Sequence, residues 1–128
     1  MKHLNKSYED YIKAIYLISK ENKGGWVSNS KISNLLKVKP SSVTNMLYKL
    51  KAKDLIDWKP NKSLRLTKKG KKIALSIVKN YNSLFDFFVH VLKLKDNDQV
   101  KNLCCNIEHY ITPEISDALE NLILEFHY

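Results

Sequence analysis

Apolar residues recur along this chain mostly at intervals of three and four. Tyr8, Tyr11, Ile12, Ile15 and Tyr16 fall at helical spacing, with Ile18 at the edge of the stripe. After an N-cap at Ser7 they predict a first helix to about residue 21. The glycine pair in "NKGGW" breaks it. Order restarts at Val27-Ser28, and Ile32, Leu35 and Leu36 mark a short second helix. Pro40 suits the first turn of a third, with Ser41 and Ser42 at early polar positions and Val43, Met46, Leu47 and Leu50 as its buried stripe. Then the period changes: "LIDWKPNKSLRL" (55–66) reads as two short strands around a Pro60-Asn61-Lys62 turn. Thr67 caps a long helix over about 68–92, and "KLKDND" is a polar break. A fifth helix runs from about 97 to 110, and Thr112-Pro113 opens a last one over 113–126.

This order predicts a mainly α protein. Helix, short helix, turn, helix and hairpin make a winged helix-turn-helix domain with a two-stranded wing over residues 1–72, and a helical domain follows over 73–128. Charge divides the same way. Residues 1–72 hold 18 Lys+Arg against 5 Asp+Glu (+13), whereas residues 73–128 hold 4 against 8 (−4). A basic half of this shape suits double-stranded DNA, with the third helix in the major groove. Ser41, Ser42, Thr44 and Asn45 at the start of that helix can reach phosphates or base edges, and Asn45 can contact adenine in a bidentate way. Lys39 and Lys49 flank the helix, and Lys62 and Arg65 sit on the hairpin, placed to neutralise phosphates. The plainer reading is that the serines are only caps and Asn45 is solvated.

Composition removes several classes. The chain of 128 residues is 44% hydrophobic, with no run of 18 apolar residues, so no transmembrane helix is expected. "MKHLNKSYED" lacks the apolar segment of a secretory signal, and a cytoplasmic location is expected. The two cysteines, Cys104 and Cys105, are adjacent, which disfavours a disulfide between them.

The cysteines open the stretch "CCNIEHY". Cys105, Glu108 and His109 stand at i, i+3 and i+4, one face of a helix, and thiolate, carboxylate and imidazole together suit a transition metal. The alternative is a buried cysteine, a solvated glutamate and a histidine at a helix end. Cys105 and His109 could also pair as a thiol nucleophile and its base. No glycine-rich oxyanion loop or orienting third group accompanies them, so an enzyme is not expected.

With "YEDYIKAIY" (8–16), "VKPSSVTNMLYKL" (38–50), "LRLTKKGKKIA" (64–74) and "CCNIEHYIT" (104–112), nearly the whole chain resembles the diphtheria-toxin-repressor family of metal-dependent transcriptional repressors. The likeness is to its short, manganese-transport-regulator-like form, without an SH3-like C-terminal domain. The resemblance implies a regulator of metal-homeostasis genes that binds a palindromic operator as a homodimer, with residues 73–128 as the dimerisation and metal-binding domain. It also makes Cys105, Glu108 and His109 ligands and adds Asp10 on the first helix, where Ser7-x-x-Asp10 otherwise reads as a capping box.

Several positions depart from the family. Lys13 stands where manganese-responsive members carry a second acid, Tyr81 where the family has a histidine, and Phe85 where iron-type members have an acid. One site per protomer is therefore expected, with Fe(II) favoured over Mn(II) because of the thiolate. Leu84, Phe87, Phe88, Val91, Leu92, Ile115, Leu119, Leu122, Ile123 and Phe126 are the candidates for an apolar dimer contact. The other class left open is a metal-independent winged-helix regulator.

Overall fold

The computed structural model describes residues 4–127. Two compact units divide it, Met1–Ala74 and Leu75–Tyr128. The first opens with α1 (Lys6–Ser19), and its N-cap is Asn5, whose side chain accepts from the Tyr8 amide at 3.1 Å. Ser7 is therefore inside the helix, and the Ser7-x-x-Asp10 capping box does not form. Asp10 instead accepts from Lys6 Nζ at 3.3 Å, one turn back. α1 ends at Ser19, capped by Lys20, before the glycine pair is reached; Gly24 and Gly25 take positive φ, 79° and 74°, in the 3-10 turn Lys23–Gly25 that follows.

α2 (Asn29–Leu36) is capped by Ser28 and ends at Lys37 in a left-handed conformation. It buries Ile32 and Ser33, while Leu35 is half exposed rather than packed inward. α3 (Pro40–Ala52) has Pro40 in its first turn and buries Val43, Leu47 and Leu50 completely. β1 (Ile56–Trp58) and β2 (Leu64–Leu66) form the antiparallel wing, with Ile56 opposite Leu66 and Trp58 opposite Leu64. Val27 adds a bridge to Leu64 through bonds of 2.7 and 2.9 Å, so the hairpin is tied to the segment before α2.

These elements share one core: Ile12 and Ile15 of α1, Ile32 of α2, Leu47 and Leu50 of α3, Leu55, and Leu64 of the wing. α4 (Lys68–Asp86) begins against it, with the Thr67 hydroxyl accepting from the Gly70 amide and donating to the Asp54 carbonyl. Gly70 is required there, because a Cβ would run into the Leu55 carbonyl oxygen.

In the second unit the long helix changes pitch after Asp86, and Phe87–Val91 is π-helical. α5 (Asp98–Ile107) is capped by Asn97 and passes into a 3-10 turn, Glu108–Tyr110. α6 (Pro113–His127) follows Thr112, whose hydroxyl accepts from the Ile115 amide at 3.3 Å. Leu84, Val100 and Cys104 form the buried centre, with Tyr81, Phe85, Phe88, Ile107 and Leu119 packed on it. Of the apolar residues predicted for a dimer contact, Leu84 and Ile123 are thus buried, and Phe88 and Leu119 serve the unit's own core. Leu92, Ile115 and Phe126 are exposed. The Ser83 and Ser116 hydroxyls meet at 3.2 Å in the buried interior. Among the described residues no helix is long and apolar enough to cross a membrane.

Candidate functional site

The candidate nucleic-acid face belongs to the first unit. Lys39, Ser41, Ser42, Asn45 and Lys49 are all exposed, because the apolar stripe of α3 turns them outward. Ser41 and Asn45 lie one turn apart on the same side. Thr44 is half-buried and differently employed: its hydroxyl donates to the Pro40 carbonyl at 3.1 Å and accepts from Asn29 Nδ2 at 3.0 Å. Asn29 also reaches the Pro40 carbonyl at 3.4 Å, so the starts of α2 and α3 are pinned together. Thr44 positions the reading helix, and its hydroxyl is already engaged within the protein.

Lys62 is exposed at the wing turn. The Arg65 guanidinium lies 4.5 Å from the centre of the Trp26 ring, and its Nε is 3.7 Å from Asp57 Oδ2. An arginine held this way keeps its charge at the surface in a fixed place. Tyr48 was not among the residues predicted to matter. It is 53% exposed and lies on the Ser41–Asn45 side of α3, with its ring edge-on to Trp58 at 4.8 Å and 77°. Its spacing from Asn45 is the signal that could have found it.

The metal-type residues of the second unit gather around the end of α5. The α-helix stops at Ile107, so the Cys-x-x-Glu-His spacing straddles a change from α to 3-10 geometry. Cys105 is exposed, whereas Cys104 is fully buried, and neither is in a disulfide. The Glu108 and His109 side chains are 1% and 3% exposed, with His109 Nε2 3.6 Å from Glu108 Oε2. A carboxylate is costly to bury unless a partner or a cation offsets it. Glu108 and His109 therefore fit a cation site by both donor type and burial. Among the described residues, however, no three His, Cys, Asp or Glu side chains are drawn together as a ligand set.

Two residues of α4 shape this turn. Asn80, 7% exposed, donates through Nδ2 to the Glu108 and Ile111 carbonyls, each at 3.1 Å. Nothing in the sequence pattern distinguished it. Tyr81 stacks on Phe85, ring centres 6.1 Å apart and nearly parallel. Burial pushes the Tyr81 phenol upward, and Cys105, Cys104, Glu108 and Asp96 push it further. The phenol therefore keeps its proton at neutral pH. Asp10 belongs to the first unit and is described with it above.

Comparison with known proteins gives two profile matches in succession along the chain. The profile of the iron dependent repressor N-terminal DNA binding domain matches residues 3–64, and that of the iron dependent repressor metal binding and dimerisation domain matches 67–128. An uncharacterized HTH-type transcriptional regulator of Methanocaldococcus jannaschii is 32% identical over 123 residues, 96% of this chain and 97% of that protein. Among solved structures, ScaR with bound Zn2+ is 28% identical with a TM-score of 0.75, covering 96% of this chain and 55% of the other. The manganese regulator SloR is 28% identical with a TM-score of 0.74, covering 98% and 55%. The chain thus spans about half the length of those two solved proteins.

Proposed function

This chain belongs to the iron-dependent repressor family, and from that premise we propose that it is a repressor of metal-homeostasis genes whose DNA-binding form is favoured by a divalent transition metal, Fe(II) in preference to Mn(II). The observation that carries the metal half is the buried Glu108–His109 pair at 3.6 Å, with the Cys105 thiol in the preceding turn. Asp10, Cys105, Glu108 and His109 are the proposed ligands, one ion per protomer. When bound, the ion supplies the positive charge that lets a thiolate and two carboxylates share a site. The thiolate draws the preference from Mn(II) towards Fe(II).

The proposed set takes Asp10 from the DNA-reading unit and three donors from the second. Such a set favours whichever arrangement of the chain satisfies all four donors, and only that difference in affinity shifts the population. Two copies are proposed to associate through exposed apolar residues of the second unit, among them Leu92, Ile115 and Phe126. A two-fold dimer would present its recognition helices to a palindromic operator with half-sites roughly 34 Å apart. Lys39, Ser41, Ser42, Asn45, Lys49, Lys62 and Arg65 are the proposed contacts, with Thr44 acting through the placement of α3.

Metal titration of anaerobically purified, metal-free protein tests the ligand set. Asp10→Ala should weaken binding by at least an order of magnitude, and intact affinity would remove Asp10 from the set. A metal-independent winged-helix regulator is the second reading. It is favoured by the absence, among the described residues, of three gathered donors. It requires that metal and chelator leave DNA affinity unchanged.

A further inference from the structure

One concave surface of the first unit joins Lys62 and Thr44 to residues that these roles leave unassigned. A cleft of about 550 Å³ opens between α3 and the wing. Its lining includes Ser30 of α2, Tyr48 on α3, Trp58 on β1, and Asn61, Lys62 and Ser63 of the wing turn. The chemistry is uneven: hydroxyls and two amides dominate, and Lys62 is the one cation in the lining. Tyr48 is held by the edge-on contact with Trp58, which is itself buried. A half-exposed aromatic is thereby fixed in place before any partner arrives.

We propose that this cleft seats the sugar-phosphate backbone of one DNA strand, with the Tyr48 hydroxyl donating to a phosphate oxygen and Lys62 supplying the local positive charge. The inference rests on the DNA-binding reading above and adds to it a set of contacts without formal charge. Tyr48 is seven residues beyond Ser41, about 10 Å further along the helix axis. The start of α3 can therefore enter the groove while Tyr48 meets the strand at its edge. A base edge is read by groups that point into the groove, but this ring turns towards the wing. Neutral donors around a single cation match a phosphodiester, which offers several acceptor oxygens and one charge.

A phenol has no charge to exchange for counterions, so its phosphate contact leaves a signature that a lysine's does not. The full chain, with Mn(II) present, is titrated by fluorescence anisotropy onto two duplexes: one that it has selected from a random-sequence library, and one unrelated. Salt is varied between about 50 and 200 mM. Tyr48→Phe keeps the ring against Trp58 and should weaken binding to both duplexes by the same roughly tenfold factor. It should leave the slope of log affinity against log salt unchanged, whereas Lys62→Gln should lower that slope by about one. Ser63→Ala, on the exposed turn, should repeat the Tyr48→Phe pattern independently of the ring pair. Wild-type affinity in both Tyr48→Phe and Ser63→Ala overturns the proposal. So does a loss confined to the selected duplex, which would make Tyr48 a base reader, or a changed slope in Tyr48→Phe. Wild-type protein that binds neither duplex would overturn the DNA-binding reading as well.

Discussion

Asn80→Ala isolates the bolt that holds the turn carrying Glu108 and His109. The side chain is 7% exposed, and its Nδ2 donates to the Glu108 and Ile111 carbonyls at 3.1 Å each. Two such bonds contribute about 1 kcal/mol each, and part of the penalty for leaving two carbonyls without this donor adds to that, giving about 2–4 kcal/mol in all. At about 4 °C per kcal/mol for a chain of this size, the unfolding midpoint should drop by about 8–16 °C. Asn80→Asp should be at least as harmful, since it turns a carboxylate oxygen towards two carbonyl oxygens. Urea denaturation of metal-free protein followed by circular dichroism gives the stability. Titration with Co(II), whose thiolate absorption reports on Cys105, gives the second reading. Because the turn positions the proposed ligands, Co(II) affinity should fall about 10–100-fold. A loss of stability below about 0.5 kcal/mol would refute the packing argument. A full loss of stability with unchanged Co(II) affinity would refute the positioning argument and leave Asn80 purely structural.

Other expectations concern parts of the fold that the sequence left ambiguous. Asn5→Ala should destabilise by about 1 kcal/mol through loss of the α1 cap, whereas Ser7→Ala should stay within about 0.5 kcal/mol; the reverse order in urea denaturation would restore Ser7 as the cap. Gly70→Ala forces a methyl group into the Leu55 carbonyl and should destabilise by about 1–3 kcal/mol, read by thermal unfolding; a neutral effect would show that α4 can move aside. Ser83→Ala and Ser116→Ala should each destabilise by about 1 kcal/mol, and the double variant by less than their sum. Full additivity in that cycle would mean that the two buried hydroxyls do not interact.

The helices and the wing were legible because each carries a period that burial enforces. Val43, Leu47 and Leu50 are spaced for a helix and are all fully buried. Ile56, Trp58 and Leu64 alternate as strands do. Caps were harder. Asn5 and Ser7 are both good cap residues, and the extended backbone at Asn5 with its bond from the Tyr8 amide decides between them. The pitch changes were not legible. Phe87–Val91 has no helix-breaking residue, yet it turns as a π-helix. The 3-10 turn at Glu108 carries no glycine or proline either. For the site, residue types pointed to Cys105, Glu108 and His109 but could not show that two are buried and one exposed. Exposed positions on α3 followed from its stripe. The engagement of Thr44 by Asn29 did not, because it joins residues 15 apart through side chains.

Duplex binding by the full chain, measured anaerobically with chelator and then with added Fe(II), tests the central claim most directly. The account predicts that Fe(II) raises affinity for a duplex selected by the protein by roughly 5–150-fold. It also predicts that Asp10→Ala removes this rise while leaving the weaker chelator-state binding in place. Equal affinity with chelator and with Fe(II) would contradict it and leave a winged-helix regulator that senses no metal.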